Sequence, residues 1–313
     1  MDETFPKAKV LVTGANGFIG FNLALRLLDE GANVTALISP ASVGERIKRV
    51  DGRPNFRILT WDLRGNLEKL FSEIQFDFVF HLAAEGITPK KNQVQDMLAV
   101  NVGSVVNMSR LVSRQGGKMI WTGSVFELGG RETRLGEDAP ANPSSFYAWT
   151  KAAAFDYLKR FALPGHWVAL RPFGVYGPYE ASHRLLPYVI GQLTKDRPAL
   201  LTRGTQIRDF VFVDDVVEAI ILAACTPEAE EKIYNIGSGR GVSVREVAQK
   251  AATMLGKELL VEFGTKEAPA SEPNCYIADP SLAQKDLGWT PATDLDAGIK
   301  KTIEWYMAEE ART

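Results

Sequence analysis

The sequence predicts an α/β fold, a doubly wound parallel sheet joined to a smaller mixed α/β lobe, and three observations carry that prediction. Strand-like apolar runs alternate with segments long enough for crossover helices. A glycine-rich step follows the first run, and beyond Arg171 the residues Pro172, Gly174, Gly177 and Pro178 break the regular pattern. The first strand is Lys9-Val10-Leu11-Val12-Thr13, a short apolar run of the buried type. Gly14-Ala15-Asn16-Gly17-Phe18-Ile19-Gly20 then leads into a helical stretch carrying Leu23, Leu25, Leu27 and Leu28, which Gly31 ends. Further strands are expected at 33–38, 56–61, 76–82 and 118–122, with the clearest crossover helix at 94–113. Pro143, Ser144 and Ser145 signal the start of another helix, running through Leu158 to Phe161. A sixth parallel strand follows at 167–171, then a helix at 185–193 and a strand at 207–213.

The 313 residues, 45% hydrophobic and 24% charged, can bury one large core or two joined domains. A formal net charge of -2 gives no electrostatic case for nucleic acid or an anionic membrane as partner, so anionic ligands must be met by local sites. The acidic start Met1-Asp2-Glu3-Thr4 is unlike a secretion signal, and no apolar stretch approaches the roughly 20 residues that span a bilayer. Cys225 and Cys275 lie far apart without a metal-ligand pattern, which makes both packing residues and a reducing cytoplasm the expected setting. No metal is expected.

Gly14, Gly17 and Gly20 sit where a strand turns into a helix, so backbone N–H groups and the helix dipole would face a pyrophosphate that a side chain would otherwise block. This is the Rossmann-type arrangement for a dinucleotide. Asp62 could accept from the adenine amino group, or equally serve as a turn or cap residue before Leu63 and Arg64. His81-Leu82-Ala83-Ala84 ends the fourth strand with small residues that let a cofactor pass close to the backbone, His81 itself reading as a core histidine. The second strand ends in Leu37-Ile38-Ser39-Pro40 without the acid that would bond a ribose 2′-hydroxyl. Ser39 with one of Arg46, Lys48 or Arg49 could instead meet a 2′-phosphate, which favours NADP(H) over NAD(H); the rival reading of the basic residues is a solvated helix face. The chain thus divides into a dinucleotide-binding part, 1–171, rejoined around 209–237, and a mainly substrate-binding part, 172–313.

Tyr147 and Lys151 stand four apart on one helix face. A free tyrosine titrates near ~10, and a neighbouring ammonium favours its ionised form, so the pair forms a proton-transfer group suited to accompany hydride transfer. An isolated pair of this spacing is more often a surface feature. The helix-start signal and the strand-like run ending in Thr122-Gly123-Ser124 supply the context that raises it above that.

These residues resemble the extended short-chain dehydrogenase/reductase family, in its nucleotide-sugar epimerase, dehydratase and reductase branch. The likeness covers nearly the whole chain: the Thr13 to Gly20 step, His81 to Ala84, Asn101, Ser124, Tyr147 with Lys151, Arg171 to Pro178, Arg208 to Asp215, and Leu287 to Pro291. The resemblance implies that Ser124 hydrogen-bonds the reacting oxygen, Tyr147 exchanges its proton, and Lys151 holds the nicotinamide ribose and lowers the Tyr147 pKa. It implies cofactor contacts from Gly14, Asn16, Gly17, Phe18, Ile19, Gly20, Ser39, Arg46, Asp62, Leu63, Leu82, Ala83, Ala84, Asn101, Thr122 and Pro172. Arg208 resembles the arginine that pairs with the diphosphate of a nucleotide sugar, its rival role being an ion pair with Asp209 or Asp214. Glu85 and Thr88, with Val125, Phe126 and Gly174, are expected around the sugar.

Three departures narrow the branch. The Asp-Glu pair by which 4,6-dehydratases eliminate water is replaced by Val125 and Phe126, leaving Glu127, one position on, as the remaining acid. Gly174 stands where many members have Asn, and Ser271-Glu272-Pro273-Asn274 lacks an arginine often found there. The leading expectation is an NADPH-dependent 4-reductase of nucleotide-linked 4-keto-6-deoxyhexoses. An NAD-dependent nucleotide-sugar 4-epimerase is the alternative, and a non-catalytic dinucleotide sensor is a distant third. The resemblance also implies a homodimer packed through the helices at 94–113 and 145–161.

Overall fold

The structure is a computed structural model that describes residues 5–42, 44, 46–86, 94–267 and 273–311. In chain order it contains β1 (Lys9–Thr13), α1 (Phe18–Asp29), β2 (Asn33–Ile38), β3 (Phe56–Thr60), α2 (Leu67–Glu73) and β4 (Phe78–His81). There follow α3 (Val94–Met97), α4 (Ser104–Arg114), β5 (Lys118–Thr122), α5 (Phe146–Phe161), β6 (Trp167–Pro172), β7 (Gly174–Tyr176) and α6 (Leu185–Leu193). The remainder comprises β8 (Ala199–Leu201), β9 (Ile207–Phe212), α7 (Val213–Cys225), β10 (Ile233–Ile236), β11 (Gly241–Ser243), α8 (Val244–Leu255), β12 (Val261–Phe263), β13 (Cys275–Tyr276), α9 (Ser281–Leu287) and α10 (Leu295–Glu310).

Among the described residues, seven strands form one sheet in the order β10-β6-β5-β4-β1-β2-β3, every neighbour parallel. The order reverses at β1, and ligands of such sheets bind at the carboxyl ends beside that switch. Side chains of a strand alternate between faces. Val10 and Val12 therefore pack with α1 and α7 residues such as Leu27 and Ile220, while Leu11 packs opposite with Val105, Met108 and Leu158. A separate core joins α6, α8 and α10 through Leu186, Val189, Val247, Ala251 and Ile299. Beside it β9 is flanked by antiparallel β11 and by parallel β13 and β7.

Several expected elements differ in the structure, the strands at 56–61 and 76–82 being shorter, Phe56–Thr60 and Phe78–His81. The helix at 94–113 is interrupted by a π turn, Leu98–Gly103, between α3 and α4. The wider turn accompanies a buried Asn101, whose amide bonds the backbone after β4; helical periodicity alone does not register such an insertion. The strand at 207–213 ends one residue early because Val213 opens α7. His81 is fully buried between the Thr13 hydroxyl (2.7 Å) and the Ser104 hydroxyl (2.9 Å), and burial pushes its imidazole down to about 3, so it is a neutral, satisfied core residue. No helix of the described residues is long and apolar enough to cross a membrane.

Candidate active site

The chain leaves β1 through Gly14 at φ 67°, in the left-handed region that glycine tolerates, and an added Cβ there would stand 2.9 Å from the Ala83 amide nitrogen. A Cβ on Gly20 would overlap the Gly14 carbonyl oxygen. Gly17 precedes α1 and offers no side-chain cap, leaving the first-turn N–H groups of that helix for a ligand. Cradle, open helix end and the close passage of Leu82 to Ala84 fit a dinucleotide pyrophosphate. Ala83 is held there by donating to the Thr13 hydroxyl at 3.2 Å, and Leu82 by donating to the Thr13 carbonyl at 3.3 Å.

The segment after β2 is tied to this loop. Asn16 donates to the Ser42 hydroxyl (2.9 Å), and Arg46 donates to the Asn16 carbonyl (2.9 Å). Arg46 thus lies beside the glycine loop, whereas Arg49 turns to Glu309 and the Tyr179 ring. Ser39 is exposed and accepts from the Ala41 N–H at 3.3 Å. The Asp62 carboxylate is taken by the backbone N–H and guanidinium of Arg64, the turn role, and these bonds hold its pKa below the usual range. Leu63 is buried in the core beneath β2 and α2. Pro172 ends β6, paired in register with Ile236.

Across the switch, Ser145 caps α5 by accepting from the Ala148 N–H at 3.1 Å, which orients Tyr147 and Lys151 toward the end of β5. Lys151 is buried, donates to the Thr122 carbonyl at 2.8 Å and stands 5.1 Å from the Trp121 ring centroid. Burial pulls its ammonium down to about 8, opposed by the charge of Glu127. Tyr147 hydrogen-bonds Ser124, which favours ionisation, but burial outweighs that and pushes the phenol up to about 12. The expectation that Lys151 lowers the Tyr147 pKa is therefore corrected: the ammonium is aimed at the Thr122 carbonyl, and desolvation dominates at the phenol. Asn101 ties this half together. Its amide donates to the Glu85 carbonyl and the Thr150 hydroxyl, both at 2.9 Å, and accepts from the Glu85 N–H at 2.8 Å.

Ser124 follows β5 in extended conformation and its hydroxyl accepts from the Phe126 N–H at 3.3 Å. Glu127 closes a capping box on it and is fully buried, accepting from the Ser124 N–H at 2.6 Å and from Arg171 at 2.8 Å. With both carboxylate oxygens engaged inside the fold, Glu127 is not presented to a sugar as a displaced dehydration acid. The Ser124-x-x-Glu127 spacing is a capping-box signal in the sequence, one that the reading of Glu127 as a remaining acid passed over.

The substrate side is only partly convergent. Val125 is buried with Leu128, Leu135, Phe173, Tyr276 and Ala278. Phe126 is exposed and meets Tyr276 edge-on at 5.6 Å. Arg208 lies over the same Tyr276 ring at 5.3 Å and donates to the Ile207 carbonyl. The Asp209 carboxylate is taken by the N–H groups of Ser238, Gly239 and Ala278. A Cβ on Gly174 would stand 2.6 Å from the Asp209 carbonyl oxygen, a tight β7 to β9 approach that an Asn here would have to push apart. Glu85 is half-buried, and Thr88 lies outside the described residues. Among the described residues no group of three or more His, Cys, Asp and Glu could hold a metal ion.

Residues 10–237 match the NAD dependent epimerase/dehydratase family. The UDP-glucose 4-epimerase of Mycolicibacterium smegmatis is 31% identical over 318 residues, covering 95% of this chain and 98% of the relative. The probable dTDP-glucose 4,6-dehydratase of Sinorhizobium fredii is 27% identical over 329 residues, covering 96% and 93%. Among solved structures, MoeE5 in complex with UDP-glucose and NAD superposes with a TM-score of 0.82 at 30% identity, covering 96% of this chain and 99% of that one. The chain therefore belongs to the NAD-dependent epimerase/dehydratase family of extended short-chain dehydrogenases/reductases, enzymes that act on nucleotide sugars.

Proposed function

We propose that this protein is an NADPH-dependent 4-reductase of nucleotide-linked 4-keto-6-deoxyhexoses. The observation that carries the reading is the meeting of Ser124, Tyr147 and Lys151 at the end of β5, with Val125 and Phe126 in place of an acid-base pair and Glu127 turned inward. The glycine loop and the passage of Leu82 to Ala84 would hold a reduced nicotinamide dinucleotide, which would supply hydride. Ser124 holds the C4 oxygen and Tyr147 donates its proton to that oxygen as it gains charge, while Lys151, anchored on the Thr122 carbonyl, orients the ribose. A phenol held protonated by burial suits a proton donor, the role that reduction requires. The missing acid after β2, with Ser39 exposed and Arg46 against the glycine loop, supports NADPH. In this reading 1–171 and 209–237 serve the dinucleotide, 172–313 mainly serves the sugar, and Arg208 meets the diphosphate.

A second reading, a 4-epimerase with tightly held NAD, is favoured by the 31% identity to the mycobacterial UDP-glucose 4-epimerase. It uses the same three residues but has no net redox change. The deciding experiment mixes purified protein with a nucleotide-linked 4-keto-6-deoxyhexose and NADPH or NADH and follows reduced-nicotinamide absorbance. Stoichiometric oxidation, faster with NADPH, is the expected result. No oxidation, with NAD released on denaturation, replaces it with the epimerase.

We also propose a homodimer through the helical segment 94–113 and α5, where Val94, Leu98, Trp149 and Phe161 remain exposed. Light scattering should report twice the 34.4 kDa chain mass, and a monomer at working concentration removes this assembly.

A further inference from the structure

We infer that Glu127 and Arg171 are a positioning pair for Ser124, the carboxylate holding the serine backbone so that its hydroxyl proton faces the reacting oxygen. This rests on the role proposed for Ser124 above. The two side chains come from different elements, the turn after β5 and the carboxyl end of β6, and both are almost wholly buried, at 0% and 4% exposure. One Glu127 oxygen accepts from the Ser124 N–H at 2.6 Å and the other from the Arg171 Nε at 2.8 Å. Arg171 is fixed in turn by its place over the Phe155 ring, 4.8 Å from the centroid.

The local chain is shaped around this pair. A Cβ on Gly123 would overlap the Glu127 carboxylate and stand 3.3 Å from the Arg171 side chain, so a larger residue between Thr122 and Ser124 would displace the pair. Thr122 anchors the Lys151 ammonium through its carbonyl, and two residues on Ser124 is anchored through its N–H. The Ser124 hydroxyl oxygen accepts from the Phe126 N–H, which leaves its proton for the Tyr147 oxygen or, with substrate bound, for the reacting oxygen. A buried ion pair is an inefficient source of stability, since apolar groups of the same volume often hold a fold as well or better. Apolar groups cannot, however, accept the Ser124 N–H. The charges facing Glu127 are Arg171 from β6 and Lys151 from α5, and the Glu127 charge favours the ammonium of Lys151 and the protonated phenol of Tyr147.

The test uses the full-length protein with NADPH and the nucleotide-linked keto sugar. The double substitution Glu127→Leu with Arg171→Met keeps volume and removes both charges. Its kcat should fall about 100-fold, while KM for the sugar and Kd for NADPH stay within about threefold. Glu127→Gln, which keeps an oxygen for the Ser124 N–H, should lose about tenfold, and the basic limb of its kcat profile should move to lower pH because Lys151 loses the charge that supports it. A folded double variant with kcat within about threefold of the native protein overturns the inference. Should the double variant not fold, Glu127→Gln decides it alone: native kcat and an unmoved basic limb overturn it. Tyr147→Phe measured alongside separates the two failures. Activity lost there but kept in the Glu127 variants refutes only the pair, and activity kept in all of them refutes the reaction.

Discussion

Tyr147→Phe should lower kcat by about a thousandfold and leave cofactor affinity within about twofold, because general acid-base groups contribute roughly 10²–10⁴ and the phenol ring remains. The substitution removes one hydroxyl from a half-buried ring on α5, next to Ser124, and no backbone contact depends on it. The pH profile gives the same assignment a second check. Burial lowers the Lys151 pKa to about 8, so the ammonium is present below that value and is lost as pH rises through it. Keto-sugar reduction should therefore be level at lower pH and decline through about 8, before the phenol at about 12 gives up its proton. Turnover by Tyr147→Phe within about tenfold of the native protein, or a rate still climbing above pH 9, would remove Tyr147 and Lys151 from the mechanism.

Gly20→Ala should weaken dinucleotide binding by about 100-fold, equivalent to about 2.7 kcal/mol. The added Cβ overlaps the Gly14 carbonyl, and both atoms are held by backbone: Gly14 by its turn against Ala83, Gly20 by the first turn of α1. Relief requires the helix end to retreat from the loop, which carries its N–H groups away from the pyrophosphate. Quenching or enhancement of nicotinamide fluorescence on titration measures the affinity. Thermal unfolding of the same sample shows whether the fold persists. A folded variant that binds NADPH and NADH within about threefold of the native protein would mean that the dinucleotide does not sit on this loop.

The most legible parts of the protein were those written in consecutive residues. β1 and β2 were expected where they lie, and so was α6, because an apolar run bounded by turn residues needs no distant partner to be read. The glycine step was legible for a related reason: a Cβ on Gly14 or Gly20 would meet atoms within six positions or at the end of the neighbouring strand that the alternation already implied. Tyr147 and Lys151 share a helix face by the period of the helix alone. Glu127 was half legible, its capping-box spacing being local while its partner Arg171 is 44 positions away.

What the sequence by itself determined is therefore the parallel sheet, the glycine turn at its switch and the residue types of a hydride-transfer site, since each follows from short-range periodicity and backbone geometry. The tertiary structure decided the rest. It bent the helix at 94–114 into a π turn so that Asn101 could reach Glu85 and Thr150, turned Glu127 inward onto Ser124 and Arg171, sent Lys151 to the Thr122 carbonyl and raised rather than lowered the Tyr147 pKa. It also drew β7 so close to β9 that a side chain at Gly174 would have to part them. Each of these outcomes depends on which surfaces are removed from water and which distant groups then meet, and burial, unlike periodicity, is a property of the packed whole.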